Sequence, residues 1–290
     1  MDRPGIFWLK DKMLRSGLIG RAIQDSRSPW LHEQEARAQG LDLTYELFDF
    51  DQLDLADGEL AGLLARLRED GFCGVNVTYP FKQRVMPLLD ELAESASLVG
   101  AVNTIAMRNG RLTGHNTDMV GFYESMEEGL PGAALDRVLQ LGAGGAGSAV
   151  ACALLALGTR RLDLYDVDLD RAGKLAGLLG ERFGAGRVFP CSIADPVTVG
   201  VNGIVNATPM GMAAHPQSAI APDLISPAHW VADIVYFPLE TELLRVARAK
   251  GCRVLNGSGM VIAQAAKAFE IMTGFPADKA RMHDSFLSRQ

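Results

Sequence analysis

Two stretches of this sequence carry residues whose types and spacing could do chemistry. The first is GAGGAG, Gly142 to Gly147. Gly142, Gly144 and Gly147 fall in G-x-G-x-x-G spacing, after the apolar run VLQL and before an Ala/Leu-rich segment. In that setting the loop predicts a dinucleotide site. The first glycine makes the tight turn, the second lets a pyrophosphate approach the backbone, and the third lets helix and strand pack closely. Ala143, Gly145 and Ala146 complete the loop, whose helix N-terminus faces the phosphates. A glycine-rich turn with no ligand is the plainer alternative. Asp166 closes the next apolar run, RLDLYD, 19 residues after Gly147 (166 − 147). A carboxylate there accepts hydrogen bonds from the adenosine ribose, as with NAD, and repels the 2′-phosphate of NADP. No arginine follows Asp166 at once, and Arg171 lies on the following helix. Asp166 or Asp168 could instead cap that helix. NAD is the expected cofactor, with NADP the alternative. The second stretch is NVTYPFK, Asn76 to Lys82. A lone lysine is ordinarily a solvated surface residue. An amine whose pKa is drawn toward the working pH instead takes or gives a proton.

The elements that must position these residues alternate along the chain. Strand-length apolar runs at LIG near Leu18, LTYELFDF, GFCGVNVTYP, AVNTIAM and RLTGHN are interleaved with helix-period segments such as SPWLHEQEARAQG and ADGELAGLLARLREDG. Ser28 suits a helix cap, Pro29 the first turn and Gly40 the helix end. Pro80 stops a strand, and a helix is expected from Phe81 to about Leu92. Its positive end would lower the pKa of Lys82. After Asp118 the texture becomes regular strand and helix, through VLQL, RLDLYD, GIVNAT and WVADIVY. The pattern predicts an α/β protein of two domains, the second built from parallel βαβ units. No linker marks the boundary, and MVGFYESMEEGL reads as a connecting helix.

Bulk properties narrow the function classes. A chain of 290 residues supports one large core or two ordinary ones. Its net charge of −7 argues against a nucleic-acid backbone binder. Cys73, Cys152, Cys191 and Cys252 form no CxxC pair, and His32, His115, His215, His229 and His283 show no ligand spacing, so no metal site is expected. The first twenty residues are too charged for a signal peptide, and no apolar run reaches about 18 residues. A cytoplasmic protein with no membrane partner is expected.

Taken in order, SRSP (Ser26 to Pro29), GVNVTYPFK (Gly74 to Lys82), GAVNT (Gly100 to Thr104), GHNTDMVGF (Gly114 to Phe122), GAGGAG, NATPMGM (Asn206 to Met212), VYFPLETELL (Val235 to Leu244) and NGSGMVIAQAAKAFEIMTG (Asn256 to Gly274) span nearly the whole chain. Together they resemble the shikimate/quinate dehydrogenase family. The resemblance implies a substrate domain, residues 1–117 plus 259–290, and a Rossmann domain, residues 118–258, with the active site in the cleft between them. It implies reversible hydride transfer between a nicotinamide and C3 of shikimate or quinate. Lys82 matches the family's catalytic lysine and Asp118 its partner aspartate. Ser26 and Ser28 match the element that binds the substrate carboxylate. Asn76, Thr78, Asn103 and Gln264 match positions that bind ring hydroxyls, a task suited to directional amides and hydroxyls. Each could instead satisfy loop backbone, Asn76 most readily. Tyr236 matches a tyrosine near the substrate. Thr208, Met210 and Met212 would lie beside the nicotinamide, and Gly259 near its carboxamide.

Some positions depart from the biosynthetic branch of that family. Asp25 stands where that branch commonly has histidine, YDVD replaces an Asn-Arg-Thr element, and Ser258 replaces a leucine. GHNTD and Asp166 resemble the NAD-type quinate/shikimate branch. Aminoshikimate is an alternative substrate. A regulatory homologue that binds cofactor without turnover is an alternative of another class. A methylenetetrahydrofolate dehydrogenase fits poorly, because the Ser-x-Ser element and GHNTD have no place in it. A monomer or homodimer is expected.

Overall fold

The computed structural model describes residues 13–192 and 198–288. Most of the segment bearing on a signal peptide, residues 1–12, lies outside the described residues. No helix among the described residues is long and apolar enough to cross a membrane. The chain divides into two compact units, Met1–Thr117 with Gln264–Gln290, and Asp118–Ala263.

The first unit holds β1 (Leu14–Gly20), α1 (Ser28–Ala38), β2 (Leu43–Asp49), α2 (Leu60–Glu69), β3 (Gly74–Val77), β4 (Glu91–Leu92), α3 (Glu94–Val99), β5 (Thr104–Arg108) and β6 (Arg111–His115). Its sheet runs β2-β1-β3-β5-β6-β4. β1 pairs in parallel with β2 and β3, and β5 is antiparallel to β3 and β6. Helix α2 buries Leu60, Leu63, Leu64 and Leu67, one face at i, i+3, i+4 and i+7. They pack with Phe50, Val75, Phe81 and Ile105.

The expected helix from Phe81 to Leu92 does not form. Residues 79–85 are turns, followed by a 3₁₀ turn at Met86–Leu88 and then β4. Pro87 explains this: it lacks an N–H and its ring crowds the carbonyl four residues back. The segment after Pro80 therefore supplies no α-helix start of its own at Lys82. Ser28 is likewise the first residue of α1 and not its cap; Arg27 holds the cap position without a side-chain bond.

The second unit holds α4 (Asp118–Gly129), β7 (Arg137–Leu141), α5 (Gly145–Ala156), β8 (Arg161–Asp166), α6 (Leu169–Phe183), β9 (Val188–Ser192), β10 (Gly203–Asn206), β11 (Trp230–Asp233), α7 (Glu242–Ala249) and β12 (Arg253–Leu255). All its strands pair in parallel, in the order β12-β11-β10-β7-β8-β9. Counted within the unit this is 6-5-4-1-2-3, the doubly wound arrangement of dinucleotide-binding sheets. Helix α5 is buried over most of its length, as an Ala/Leu-rich helix without a polar face must be.

Helix α8 (Ser258–Thr273) runs unbroken across the point where the chain returns to the first unit, at Gln264. The sequence places that return at 259. The last helix, α9 (Lys279–Leu287), is tied to α1 by Glu35. Its carboxylate is 1% exposed and accepts from Arg281 at 2.7 and 2.8 Å, from Gln39 Nε2 at 2.6 Å and from the Asp278 N–H at 2.9 Å. Burial pushes its pKa up, but these donors outweigh that and hold it below the usual carboxylate range. Glu35→Ala leaves those donors without their acceptor. It should lower stability by about 2 kcal/mol, discounted because Arg281 is partly exposed, read from the urea midpoint.

Candidate active site

In the first unit, three of the residues expected to bind a ring acid, Asn76, Asn103 and Gln264, lie along one largely buried polar chain. Tyr45 on β2 donates its hydroxyl to Asn76 Oδ1 at 2.8 Å. Asn76 Nδ2 donates to the Asn103 carbonyl at 3.1 Å and to Thr104 Oγ1 at 3.0 Å. Thr104 donates to Asn103 Oδ1 at 3.1 Å, and Asn103 Nδ2 donates to Thr117 Oγ1 at 3.0 Å. The Thr117 N–H donates to Asn103 Oδ1 at 2.8 Å, and its hydroxyl lies 3.4 Å from Gln264 Oε1. Asn76, Asn103, Thr104 and Thr117 are buried. Asn76 uses its amide on three protein partners. Gln264, on α8, is half-buried. Tyr45, Thr104 and Thr117 were not singled out in the sequence. Thr104 and Thr117 adjoin assigned residues, which was the available signal; nothing local marks Tyr45.

Ser26 and Ser28 are half-buried at the start of α1, and the Ser28 N–H donates to Ser26 Oγ at 3.3 Å. The Ser28 hydroxyl also bonds Tyr45. Burial raises the Tyr45 pKa, so the phenol stays protonated and donates. His32 stacks on the Tyr45 ring at 4.8 Å, and burial pushes its imidazole down to about 3. It is neutral at physiological pH and is no proton donor there. The loop before Ser26 is held by Asp49, at the end of β2. Its oxygens accept from the N–H groups of Ala22, Ile23 and Asp51 and from Gln24 Nε2, at 3.0–3.1 Å. Thr78 follows β3, with its N–H on the Ile19 carbonyl. Lys82 is half-buried, and its carbonyl accepts from the Val102 N–H at 2.8 Å.

In the second unit, Asp118 is buried as the first residue of α4, where the helix favours a carboxylate. The glycine loop joins β7 to α5. Gly142 has φ +98°, and a Cβ there would stand 2.5 Å from the Ala207 carbonyl oxygen. A Cβ on Gly147 would stand 2.4 Å from the Gly142 carbonyl oxygen. Both positions exclude any side chain. Gly144 differs: its φ of −74° is ordinary and a Cβ would meet nothing within 4 Å. The fold itself does not require glycine at 144, so the space before α5 fits a pyrophosphate that must approach the backbone. Gln140, missed in the sequence, braces the loop by donating Nε2 to the carbonyls of Gly142 and Gly147, each at 2.8 Å.

Asp166 is buried at the end of β8. Its carboxylate accepts from the Ala143 N–H at 2.7 Å and the Asp168 N–H at 2.9 Å, and Arg171 lies 3.3 Å away. Asp168, not Asp166, caps α6. Three bonds leave the carboxylate capacity for a further donor. The Asn206–Met212 turn follows β10. Thr208 bonds Asn206 Oδ1 through its N–H and hydroxyl, and Met212 is exposed, with Met210 partly so. Tyr236 is exposed beyond β11. A Cβ on Gly259 would stand 2.5 Å from Ser125 Oγ and 3.2 Å from its Cβ, so a side chain there would require the Ser125 hydroxyl to turn away. Among the described residues no cluster of His, Cys, Asp and Glu could hold a metal.

Comparison with known proteins gives consistent matches. Residues 18–105 match the family model "Shikimate dehydrogenase substrate binding domain", and residues 257–285 match "Shikimate 5'-dehydrogenase C-terminal domain". A shikimate dehydrogenase (NADP(+)) from Streptomyces avermitilis is 49% identical, over 92% of this chain and 92% of its own. A quinate/shikimate dehydrogenase (NAD(+)) from Corynebacterium glutamicum is 46% identical, over 94% and 97%. The structure of quinate dehydrogenase from Corynebacterium glutamicum in complex with NAD matches with a TM-score of 0.89 at 45% identity, covering 95% of this chain and 99% of that one.

Gly144→Ala separates fold from ligand. Its melting temperature should stay within a few degrees of the parent, because the added methyl meets no atom. Dinucleotide affinity, titrated by NADH fluorescence, should fall about tenfold or more if a pyrophosphate occupies that space.

Proposed function

We propose that this chain, which belongs to the shikimate dehydrogenase family, catalyses reversible, dinucleotide-dependent oxidation of the C3 hydroxyl of shikimate, and of quinate as a second substrate. The observation that carries this reading is the buried chain of hydroxyls and amides from Tyr45 to Gln264, in the unit that also holds Lys82. Such a chain presents directional donors and acceptors to a polyol, and its protein bonds fix the rotamers beforehand. Ser26 and Ser28 take the ring carboxylate. Asn76, Thr78, Asn103, Gln264 and Tyr236 take the ring and its hydroxyls.

The bound dinucleotide supplies the hydride acceptor. Gly142 to Gly147 hold its phosphates, Asp166 its adenosine ribose, and Thr208, Met210, Met212 and Gly259 surround its nicotinamide. Lys82 takes the hydroxyl proton in oxidation and returns it in reduction. Asp118 stabilises the ammonium form or takes part in the proton relay. It follows Thr117 directly, so one peptide bond joins it to the amide chain. Lys82→Ala should lower kcat by about 10²- to 10⁴-fold and leave NADH affinity within about threefold of the parent. Near-intact turnover would remove lysine from proton transfer.

NAD is the preferred cofactor in this reading, because the buried Asp166 carboxylate suits ribose hydroxyls and repels a phosphate. One observation favours use of NADP as well: Arg171 stands 3.3 Å from Asp166 and is half-exposed. Asp166→Ser should shift the NADP/NAD ratio of kcat/KM upward by about tenfold or more. A parent enzyme that already prefers NADP would overturn the assignment. Steady-state kinetics with shikimate, quinate and aminoshikimate, each with both dinucleotides, tests substrate and cofactor together. No turnover with any pair would favour the regulatory homologue.

A further inference from the structure

Two loops of the second unit meet at one buried carboxylate that none of the assignments above uses, and a third closes on the same turn. Asp233 ends β11 and is 2% exposed. Its Oδ1 accepts from Asn206 Nδ2 at 2.9 Å and from the Val235 N–H at 3.0 Å. Its Oδ2 accepts from Thr241 Oγ1 at 2.6 Å. Asn206 passes the constraint onward. Its Oδ1 takes the Thr208 N–H and hydroxyl, and its Nδ2 also donates to the Met210 carbonyl at 2.8 Å. The Val235 bond bends the chain directly before Tyr236. Thr241 caps α7, accepting the Leu244 N–H at 3.3 Å. The third loop closes on the same turn: the Gly257 N–H donates to the Val235 carbonyl at 3.3 Å. A Cβ on Gly257 would stand 2.4 Å from the Ile234 carbonyl oxygen.

We propose that Asp233 is a positioning residue that holds the Thr208–Met212 turn and the Tyr236 loop in one fixed register. It thereby sets the dinucleotide contacts and the ring-acid contacts together. The proposal rests on the reading above that these two loops take the nicotinamide and the substrate. Its physical basis is the fork of the carboxylate. Three donors from two chain segments need one acceptor with two oxygens, and a buried hydroxyl or backbone carbonyl does not span them. Burial opposes the charge and pushes the Asp233 carboxyl up to about 6, so the residue sits there at a cost to stability. An asparagine keeps the geometry: Oδ1 accepts from Asn206 and Val235, and Nδ2 donates to Thr241 Oγ1, which has lone pairs for both Nδ2 and Leu244. An alanine leaves all three donors unpaired.

The test compares Asp233→Ala, Asp233→Asn and Thr241→Val with Glu35→Ala, a destabilising change in the other unit. Asp233→Ala should weaken NADH binding about tenfold, by fluorescence titration, and raise KM for shikimate by a similar factor. Hydrogen exchange of the dinucleotide-free protein should quicken in residues 206–212 and 234–241. Asp233→Asn should restore both parameters to within about threefold, and Thr241→Val should fall between. Glu35→Ala should lower the urea midpoint with NADH affinity unchanged. Should Asp233→Ala not fold, the Asn and Val variants decide. Unchanged NADH affinity and exchange in Asp233→Ala or Thr241→Val overturns the proposal, as does Asp233→Asn binding as poorly as the alanine variant. Failure of the parent protein to bind NADH would count against the proposed function, while the exchange measurement still decides the role of Asp233.

Discussion

The loops of this protein depend on one constraint. Where a parallel strand ends, its successor loop carries backbone N–H and C=O groups that the sheet no longer pairs. Here buried side chains from neighbouring strand ends take them up. Asp49 at the end of β2 collects the N–H groups of Ala22, Ile23 and Asp51. Gln140 in β7 holds the carbonyls of Gly142 and Gly147. Asp166 at the end of β8 takes the Ala143 N–H, and Asp233 at the end of β11 takes the Val235 N–H and the Asn206 amide. A loop fixed in this way is rigid without being buried, which is what a binding loop needs.

The same economy of contacts separates residues that must be what they are for the fold from those free to serve a ligand. Gly142 and Gly147 are glycines because backbone oxygens stand where their side chains would go. Gly259 meets only the Ser125 side chain, a softer constraint than a backbone oxygen. Gly144 has no such neighbour, so its identity asks for an explanation outside the folded chain. The polar chain in the first unit shows the converse. Asn76 and Asn103 are committed to protein partners, yet they also hold their neighbours in place, and each role supports the other.

Much of this architecture was legible in one sequence, for reasons that are local. The parallel sheet of the second unit followed from the alternation of apolar runs with helix-period segments. The glycine loop followed from a spacing that only works between a strand and a helix. Asp118 fell at a change of texture that is also the start of α4. The helix expected after Pro80 failed because Pro87, seven residues on, removes an amide and crowds a carbonyl. That proline was in plain sight, and the loss of the helix removed an electrostatic argument about Lys82. Ser28 is not the cap because it is already the first residue of α1, one position past the cap at Arg27.

The sequence by itself determined the fold class, the glycine loop between β7 and α5 and the ordered motifs that tie the chain to its family. These depend on spacing within a few turns or strands, where covalent geometry dictates what meets what. Only the tertiary structure decided which side chains hold those motifs in place. Tyr45 reaches Asn76 across 31 positions, Asn206 reaches Asp233 across 27, and Glu35 reaches Arg281 across 246. No periodicity encodes such pairs. They arise when the sheet brings strand ends together and buried polar groups must find partners out of reach of water.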